Sequence, residues 1–313
     1  MSQLVAIGEP LIRLSPPAGR PIATADRLDS HVGGAACNVA VAAAGLGVDA
    51  AVAASVGAGP LADRIAATLR AHDVRPHLHR DPDGRVGCYW VEAVGSRRVH
   101  YDRADTPMAT ATPDELLAGV DLDAAELVYV SGIVPALGEA AREAAPAIVE
   151  RARAAGCTTV VDANYRGRLW QPEAAAEAYA AMFAHADIIA IAARDAAAVL
   201  GHTGDAVSVA ETLCAEYAAT HAICTRGAAG AVAASADGST VTQAALDGPL
   251  RDPIGAGDAF VGAVCAALLA DHAIDRALAD GAAAAAVARA THGDLTPLSP
   301  AALTGVADAQ IDR

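Results

Sequence analysis

Asp252-Pro253-Ile254-Gly255-Ala256-Gly257-Asp258-Ala259-Phe260 joins a glycine-flanked turn to an acid and to the apolar run Val261 to Ala270. A turn that opens straight into a helix leaves backbone N–H groups unpaired at the positive end of the helix dipole. The amides of Gly255, Ala256 and Gly257 therefore form an anion cradle. Asp258 follows in the first helical turn, and an acid beside a phosphate site repels phosphate unless it has a task. The task that fits is to accept or orient a hydroxyl proton while the cradle holds the charge on a transferring phosphoryl group. A plain capped helix start, with Asp258 serving only the dipole, is the competing reading of these residues.

Two further stretches carry chemistry-bearing residues. Gly33 and Gly34 form a flexible entry to a helix expected over Gly33 to Ala44, where a ligand can approach the backbone closely. Asn38 projects from the first turns of that helix, as a local cap or as a contact for a ligand. Asp162-Ala163-Asn164-Tyr165-Arg166-Gly167-Arg168-Leu169-Trp170 ends a strand and places two arginines in a loop. Taken alone these are a solvated turn; an arginine guanidinium also matches the geometry of a carboxylate.

Composition restricts what the chemistry can be. The 313 residues are 54% hydrophobic but only 3% aromatic, so the core is built from Ala, Val, Leu and Ile. A net charge of −15 argues against nucleic acid or an anionic membrane as partner, since both need a basic footprint. All 22 basic residues apart from histidine are arginine. Without lysine there is no Walker A loop, no protein-kinase strand lysine and no Schiff-base amine. Phosphoryl transfer here must rely on backbone amides, arginine and a metal. The six cysteines lack ligand spacing and read as reduced core thiols of a cytoplasmic protein. No basic segment precedes the first apolar run, so a signal peptide is not expected, and no uncharged run is long enough to span a bilayer.

The elements that must position these residues follow in chain order. Leu4 to Gly8 and Val48 to Val56 read as strands, and Pro60 to His72 as a helix. Residues 11–32, rich in proline, and the hairpin expected in 85–103 around Gly95-Ser96 form a small second sheet. Beyond Thr112-Pro113, strands at 126–130, 158–162 and 187–191 alternate with helices near 137–155, 172–185 and 205–219. That order predicts an α/β fold, a doubly wound and mainly parallel sheet. Ligands of such sheets bind beyond the carboxyl ends of the strands, where Asp162–Arg166 and Thr225-Arg226-Gly227 fall. Gly281 to Ala290 is a further helix, and no repeat or linker divides the chain, so residues 1–313 read as one domain.

Asp252–Phe260 closely resembles the C-terminal signature of the ribokinase family of sugar kinases, the phosphofructokinase B type. Gly33-Gly34-Ala35-Ala36-Cys37-Asn38-Val39-Ala40, with Gly45-Leu46-Gly47 behind it, resembles the family's N-terminal signature. The stretch Asp162 to Trp170 is similar to the Asp-x-Asn-Tyr-Arg-x-x-Leu-Trp segment of the family's branch of 2-keto-3-deoxygluconate kinases. Tyr101-Asp102-Arg103 resembles that branch's Tyr-x-Arg pattern, and Tyr89 and Asp294 match its substrate tyrosine and acid.

The resemblance implies a ribokinase-like fold with the small sheet as a lid over the sugar and as a dimer or higher oligomer contact. It implies ATP-dependent phosphorylation of the terminal hydroxyl of a sugar acid, 2-keto-3-deoxygluconate to its 6-phosphate. Asp258 would be the base, with Gly255, Ala256 and Gly257 as the cradle. Gly33, Gly34, Asn38, Tyr89, Tyr101, Arg103, Arg166 and Asp294 would contact the sugar acid. Asn164, Thr225, Gly227, Gly230, Asp252 and His292 would serve the nucleotide, Asp252 also ordering the cradle or a nearby monovalent cation. ATP and Mg2+ are the implied cofactors. One departure is that Ala193 and Ala196 stand where most of the family carries Asn-x-x-Glu, a motif that helps hold Mg2+ through water. The metal ligands are thereby unassigned, with Asp195 or Asp162 as substitutes, and a sugar-acid-binding pseudokinase and a fructokinase-like enzyme for neutral sugars are the alternatives.

Overall fold

In a computed structural model that describes residues 2–17, 19–94 and 96–311, the run Leu4–Ile7 (β1) is buried at every position. Its partners explain why. β4 (Ala50–Gly57) and β8 (Leu127–Ser131) flank it in parallel, and both are buried throughout. The parallel set continues through β9 (Thr158–Asp162), β10 (Ile188–Ala192) and β11 (His221–Thr225). Because successive side chains point to opposite faces, Val5, Ile7, Val128 and Ile189 enter one core while Leu4, Ala6, Leu127 and Ile188 enter the other. Helices Glu139–Ala154, Pro172–Phe183 and Ala206–Glu216 cover the first core, and Ala35–Ala44, Pro60–Ala71, Ala256–Leu269 and Ile274–Ala290 the second. The doubly wound, mainly parallel sheet expected from the sequence is thus present.

Three strands extend that sheet to nine: β5 (Val74–Asp81), β12 (Ala231–Ser235) and β13 (Thr240–Gln243), in the order β13-β12-β11-β10-β9-β8-β1-β4-β5. β12 and β13 run antiparallel. β5 was not expected from its sequence, because Val-Arg-Pro-His-Leu-His-Arg-Asp carries a proline and little apolar alternation. It forms at the sheet edge, where Pro76 can leave its missing N–H unpaired.

A second sheet contains four strands in the order β3-β2-β6-β7, with β2 at Leu11–Ser15, β3 at Asp29–Gly33, β6 at Cys88–Val94 and β7 at Ser96–Asp102. These are the segments expected at 11–32 and 85–103. Gly95, expected in the hairpin turn, and Ala18 lie outside the described residues. Gly33 ends β3, and the helix expected from Gly33 begins two residues later at Ala35. A helix at Pro300–Ile311, not foreseen, follows the expected 281–290 helix, which itself starts earlier, at Ile274.

Helix Ala256–Leu269 packs between Ala35–Ala44 and Ile274–Ala290 at very short range. A Cβ on Gly262 would lie 2.6 Å from the Val39 carbonyl oxygen and 2.8 Å from Ala42 Cβ, and one on Gly281 would lie 2.8 Å from the Phe260 ring. The scarcity of aromatics in the composition is matched by this close helix packing.

Candidate active site

The carboxyl ends of β1, β8, β9, β10 and β11 open into one cleft of about 320 Å³, lined by Gly8, Ser131, Asp162, Ala192 and Thr225 from those ends. The second sheet contributes Tyr89 and Tyr101 across from them, followed by Arg103, and the turn at Gly255 closes one side. The cleft therefore sits between the two sheets, where a doubly wound fold leaves its strand ends uncovered.

Gly255 is the N-cap of helix Ala256–Leu269 and has φ of 82°. That left-handed value suits glycine, and a Cβ there would meet the Asp294 carbonyl oxygen at 2.5 Å. Asp258, the third helical residue, is buried and turned into the cleft. Its Oδ2 accepts from Asn38 Nδ2 at 2.7 Å and its Oδ1 from Asn164 Nδ2 at 3.2 Å. Burial raises the pKa of Asp258, the Asn38 bond and Arg166 oppose that, and the net direction is upward. A carboxylate with an upward-shifted pKa at a helix N-terminus is suited to take a hydroxyl proton.

Asn38 lies on helix Ala35–Ala44, whose N-cap Gly34 has φ of 118°. A Cβ on Gly34 would collide with the Glu9 carbonyl oxygen, so the helix entry packs directly on the chain leaving β1. The Oδ1 of Asn38 is buried, and among the described residues it has no hydrogen-bond partner. Asn164, expected on the nucleotide side, has φ of 44° and sits against Asp258.

The cationic side of the cleft holds Arg103, Arg166 and Arg194. Arg166 Nη1 donates to the carbonyls of Asn164 and Tyr165, each at 3.2 Å, which pins the side chain over its own loop. Arg103 is buried, ion-paired with Glu9, and lies 5.7 Å from the centroid of the Tyr101 ring. Glu9 also accepts from the Thr106 hydroxyl. Tyr101 stacks on Tyr89 at 5.6 Å, and the Tyr89 hydroxyl donates to Asp294.

Of the residues singled out in the sequence, Gly34, Asn38, Tyr89, Tyr101, Arg103, Asn164, Arg166, Thr225, Gly255, Gly257, Asp258 and Asp294 line this one cleft. Gly33 and Ala256 adjoin it in sequence. Asp252 lies buried behind the Gly255 turn, and His292 is largely exposed, packed edge-on against His31 at 5.9 Å. Gly227 and Gly230 bound the turn that follows Thr225.

Asp162 and Asp195 face the same cleft. Burial first, then repulsion from Asp258, pushes the Asp162 carboxyl up to about 7. Ala193 and Ala196 lie in helix Ala193–Leu200, and Ala196 is fully buried in the core. Among the described residues, no three His, Cys, Asp or Glu side chains gather as a metal site. Sequence reasoning missed Arg13, Glu9, Ser131 and Arg194. Arg13 is the most consequential, because it is buried and bridges Asp252 and Asp294.

Residues 1–302 match the sequence model of the pfkB family carbohydrate kinases. The chain is 42% identical over 318 residues to a 2-dehydro-3-deoxygalactonokinase of Haloferax volcanii, covering 100% of this chain and 99% of that protein. It is 28% identical over 302 residues to a 2-dehydro-3-deoxygluconokinase of Thermoproteus tenax, covering 94% and 90% of the two chains. The crystal structure of a 2-dehydro-3-deoxygluconokinase from Thermotoga maritima superposes with a TM-score of 0.90 at 27% identity, covering 98% of this chain and 99% of that one. The ribokinase-like fold expected from the motifs is the fold of that structure.

Proposed function

This chain belongs to the pfkB family of carbohydrate kinases, and from that premise we propose that it transfers the γ-phosphoryl group of ATP to the terminal hydroxyl of a 2-keto-3-deoxy sugar acid. The observation that carries the substrate class is that Arg166 and Asp258 line one cleft, close enough for the arginine charge to lower the pKa of the acid. A neutral hexose has no group that calls for a guanidinium in the cleft; a carboxylate does. The sequence alone pointed to the gluconate epimer. Relatives named for the galactonate and for the gluconate compound widen this to both. The two epimers differ only at C4 and share the carboxylate, the keto group and the terminal hydroxyl.

In this reading the terminal hydroxyl lies against Asp258, which takes its proton as the oxygen attacks phosphorus. The amides of Gly255, Ala256 and Gly257 hold the negative charge on the transferring group. Asn38 and Asn164 keep the Asp258 carboxylate from rotating away. Arg166 binds the carboxylate, while Arg103, already neutralised by Glu9, orients Tyr101 beneath the sugar. Thr225, the turn holding Gly227 and Gly230, and His292 frame the nucleotide. The whole chain acts as one kinase domain in the cytoplasm, with the four-stranded sheet as lid and as contact of a homodimer or larger assembly.

Mg2+ neutralises charge on the nucleotide phosphates when bound. With Ala193 and Ala196 in place, the carboxylates at hand are Asp162 and Asp195, which suit a hydrated ion carried mainly by the phosphates and not a protein cage.

The deciding experiment is a coupled ADP-release assay with both 2-keto-3-deoxy epimers, gluconate, fructose and ribose, with Mg2+ and with excess EDTA. Turnover of the keto-deoxy acids that EDTA abolishes supports the proposal. Preference for fructose indicates the neutral-sugar reading, and binding of the acid without ADP release with any sugar indicates a pseudokinase.

A further inference from the structure

Arg13 is 2% exposed and lies in β2 of the small sheet, yet its guanidinium reaches into the walls of the Gly255 turn. Nη1 donates to Asp294 Oδ1 at 2.6 Å, Nη2 to Asp252 Oδ2 at 2.7 Å and Nε to Ser15 Oγ at 3.0 Å. The two acids bracket the turn. Asp252 Oδ1 accepts the Ile254 amide at 3.2 Å and so fixes the chain entering it. The Asp294 carbonyl oxygen packs on the Gly255 Cα, and its Oδ2 accepts from Tyr89 of β6. One guanidinium thus ties the small sheet to both sides of the anion cradle.

A carboxylate beside such a cradle is the donor that a monovalent cation would use, and the family resemblance implies that role for Asp252. The residues present do not fit that ion. Asp252 Oδ2 faces Arg13 and stands 3.9 Å from His292 Nδ1, while Oδ1 faces the Ile254 N–H and Arg97 Nη2 at 3.5 Å. Each oxygen already meets a hydrogen-bond donor or a positive charge, and a further cation would be repelled by them. Burial pulls the Arg13 pKa down, but Asp294 and Asp252 together outweigh it, so the guanidinium stays charged.

We propose that Arg13 is a positioning residue that acts as the built-in cation of the phosphoryl-transfer turn, holding Asp252 and Asp294 in register so that turnover requires no added monovalent ion. This rests on the Gly255 turn being the phosphoryl cradle. A planar fork can span two carboxylates at once, whereas the point charge of an ammonium or a metal ion could not reproduce both directions from β2.

The test is the rate of ADP release at fixed ionic strength in potassium, sodium and tetramethylammonium salts, with wild-type protein and with Arg13→Lys, Arg13→Met and Arg13→Ala. Wild type is expected to show the same kcat in all three salts. Arg13→Met should lower kcat by about a hundred-fold, as expected when reacting groups are displaced by about an ångström. Arg13→Lys keeps the buried charge balanced, so it should fold, but it should remain well below wild type in kcat. Added guanidinium chloride at millimolar concentration should restore part of the Arg13→Ala turnover, which a purely structural role would not predict. Wild-type turnover that collapses without potassium, or Arg13→Lys with wild-type kcat, would overturn the inference while leaving the kinase assignment standing. A wild-type protein that releases no ADP with any sugar would overturn both.

Discussion

Asn38 Nδ2 lies 2.7 Å from Asp258 Oδ2 across 220 residues of chain, joining the first helix of the fold to the helix that carries the candidate base. With Asn164 on the other oxygen, the carboxylate is gripped from both sides. Asp258→Asn keeps the size of the side chain and removes its basicity. It should lower kcat by about 10²- to 10⁴-fold, the range for loss of a general base, with little change in KM for the sugar acid. Steady-state kinetics beside a thermal melt check this, and near-wild-type turnover in a folded variant would remove Asp258 from the chemistry.

Asn38→Ala gives a pH prediction with a definite sign. The Asn38 amide stabilises the ionised form of Asp258, opposing the upward push of burial. Removing it raises the pKa of the base further. Because the base works only when deprotonated, the acid limb of the kcat/KM profile should move to higher pH, and activity should fall most on the acidic side. A limb that stays in place or moves to lower pH would show that Asp258 does not control it.

Arg166→Ala tests what the cationic end of the cleft reads. Charge-assisted hydrogen bonds contribute about 1.5–3 kcal/mol each, so the loss should be roughly ten- to a hundred-fold in kcat/KM for the keto-deoxy acid. An analogue lacking the carboxylate should lose much less. Equal losses on both would mean that Arg166 holds its loop and does not recognise an acid.

Asp162 links the site to stability. Its carboxyl is raised from 3.8 to about 7 by burial and by Asp258, so the folded chain keeps a proton there that the unfolded chain has released. The stability from this group is full below the unfolded pKa and is lost as pH rises through 7. Without ligands, Asp162→Asn should therefore raise Tm at pH 8 and leave it nearly unchanged at pH 4. Calorimetry across that range decides it; a difference independent of pH would show that Asp162 ionises as a free acid does.

How much of this could be read from the residues depended on how local the cause was. The Gly255–Asp258 turn was legible because the glycines and the acid are adjacent, and helix-end stereochemistry fixes where they point. Asp162 and Arg166 were legible because a strand end in an alternating fold faces the ligand edge. Arg13 was not, since its acids lie 239 and 281 residues away, and Leu-Ile-Arg-Leu-Ser reads as a strand with one solvated charge. Separation in sequence, though shorter, also hid the pairing of Arg103 with Glu9. β5 escaped notice because an edge strand is held by its neighbour's backbone more than by its own apolar pattern.

Helix Ala256–Leu269 meets helix Ala35–Ala44 with backbone against backbone at Gly262, and its Phe260 ring lies against Gly281 of the helix on its other side. Long side chains can change rotamer and act as cushions; a carbonyl oxygen against a Cα cannot. The helix therefore resists sliding or rolling, and its Asp258 end behaves as an anvil. Any accommodation of differently shaped sugars then falls to the opposite wall, by exchange of side chains on the tyrosine-bearing hairpin, whose backbone is itself tied to the Gly255 turn through Tyr89 and Asp294. Substrate range in this chain should accordingly evolve by changes in β6 and β7, with the helix that holds Asp258 left untouched.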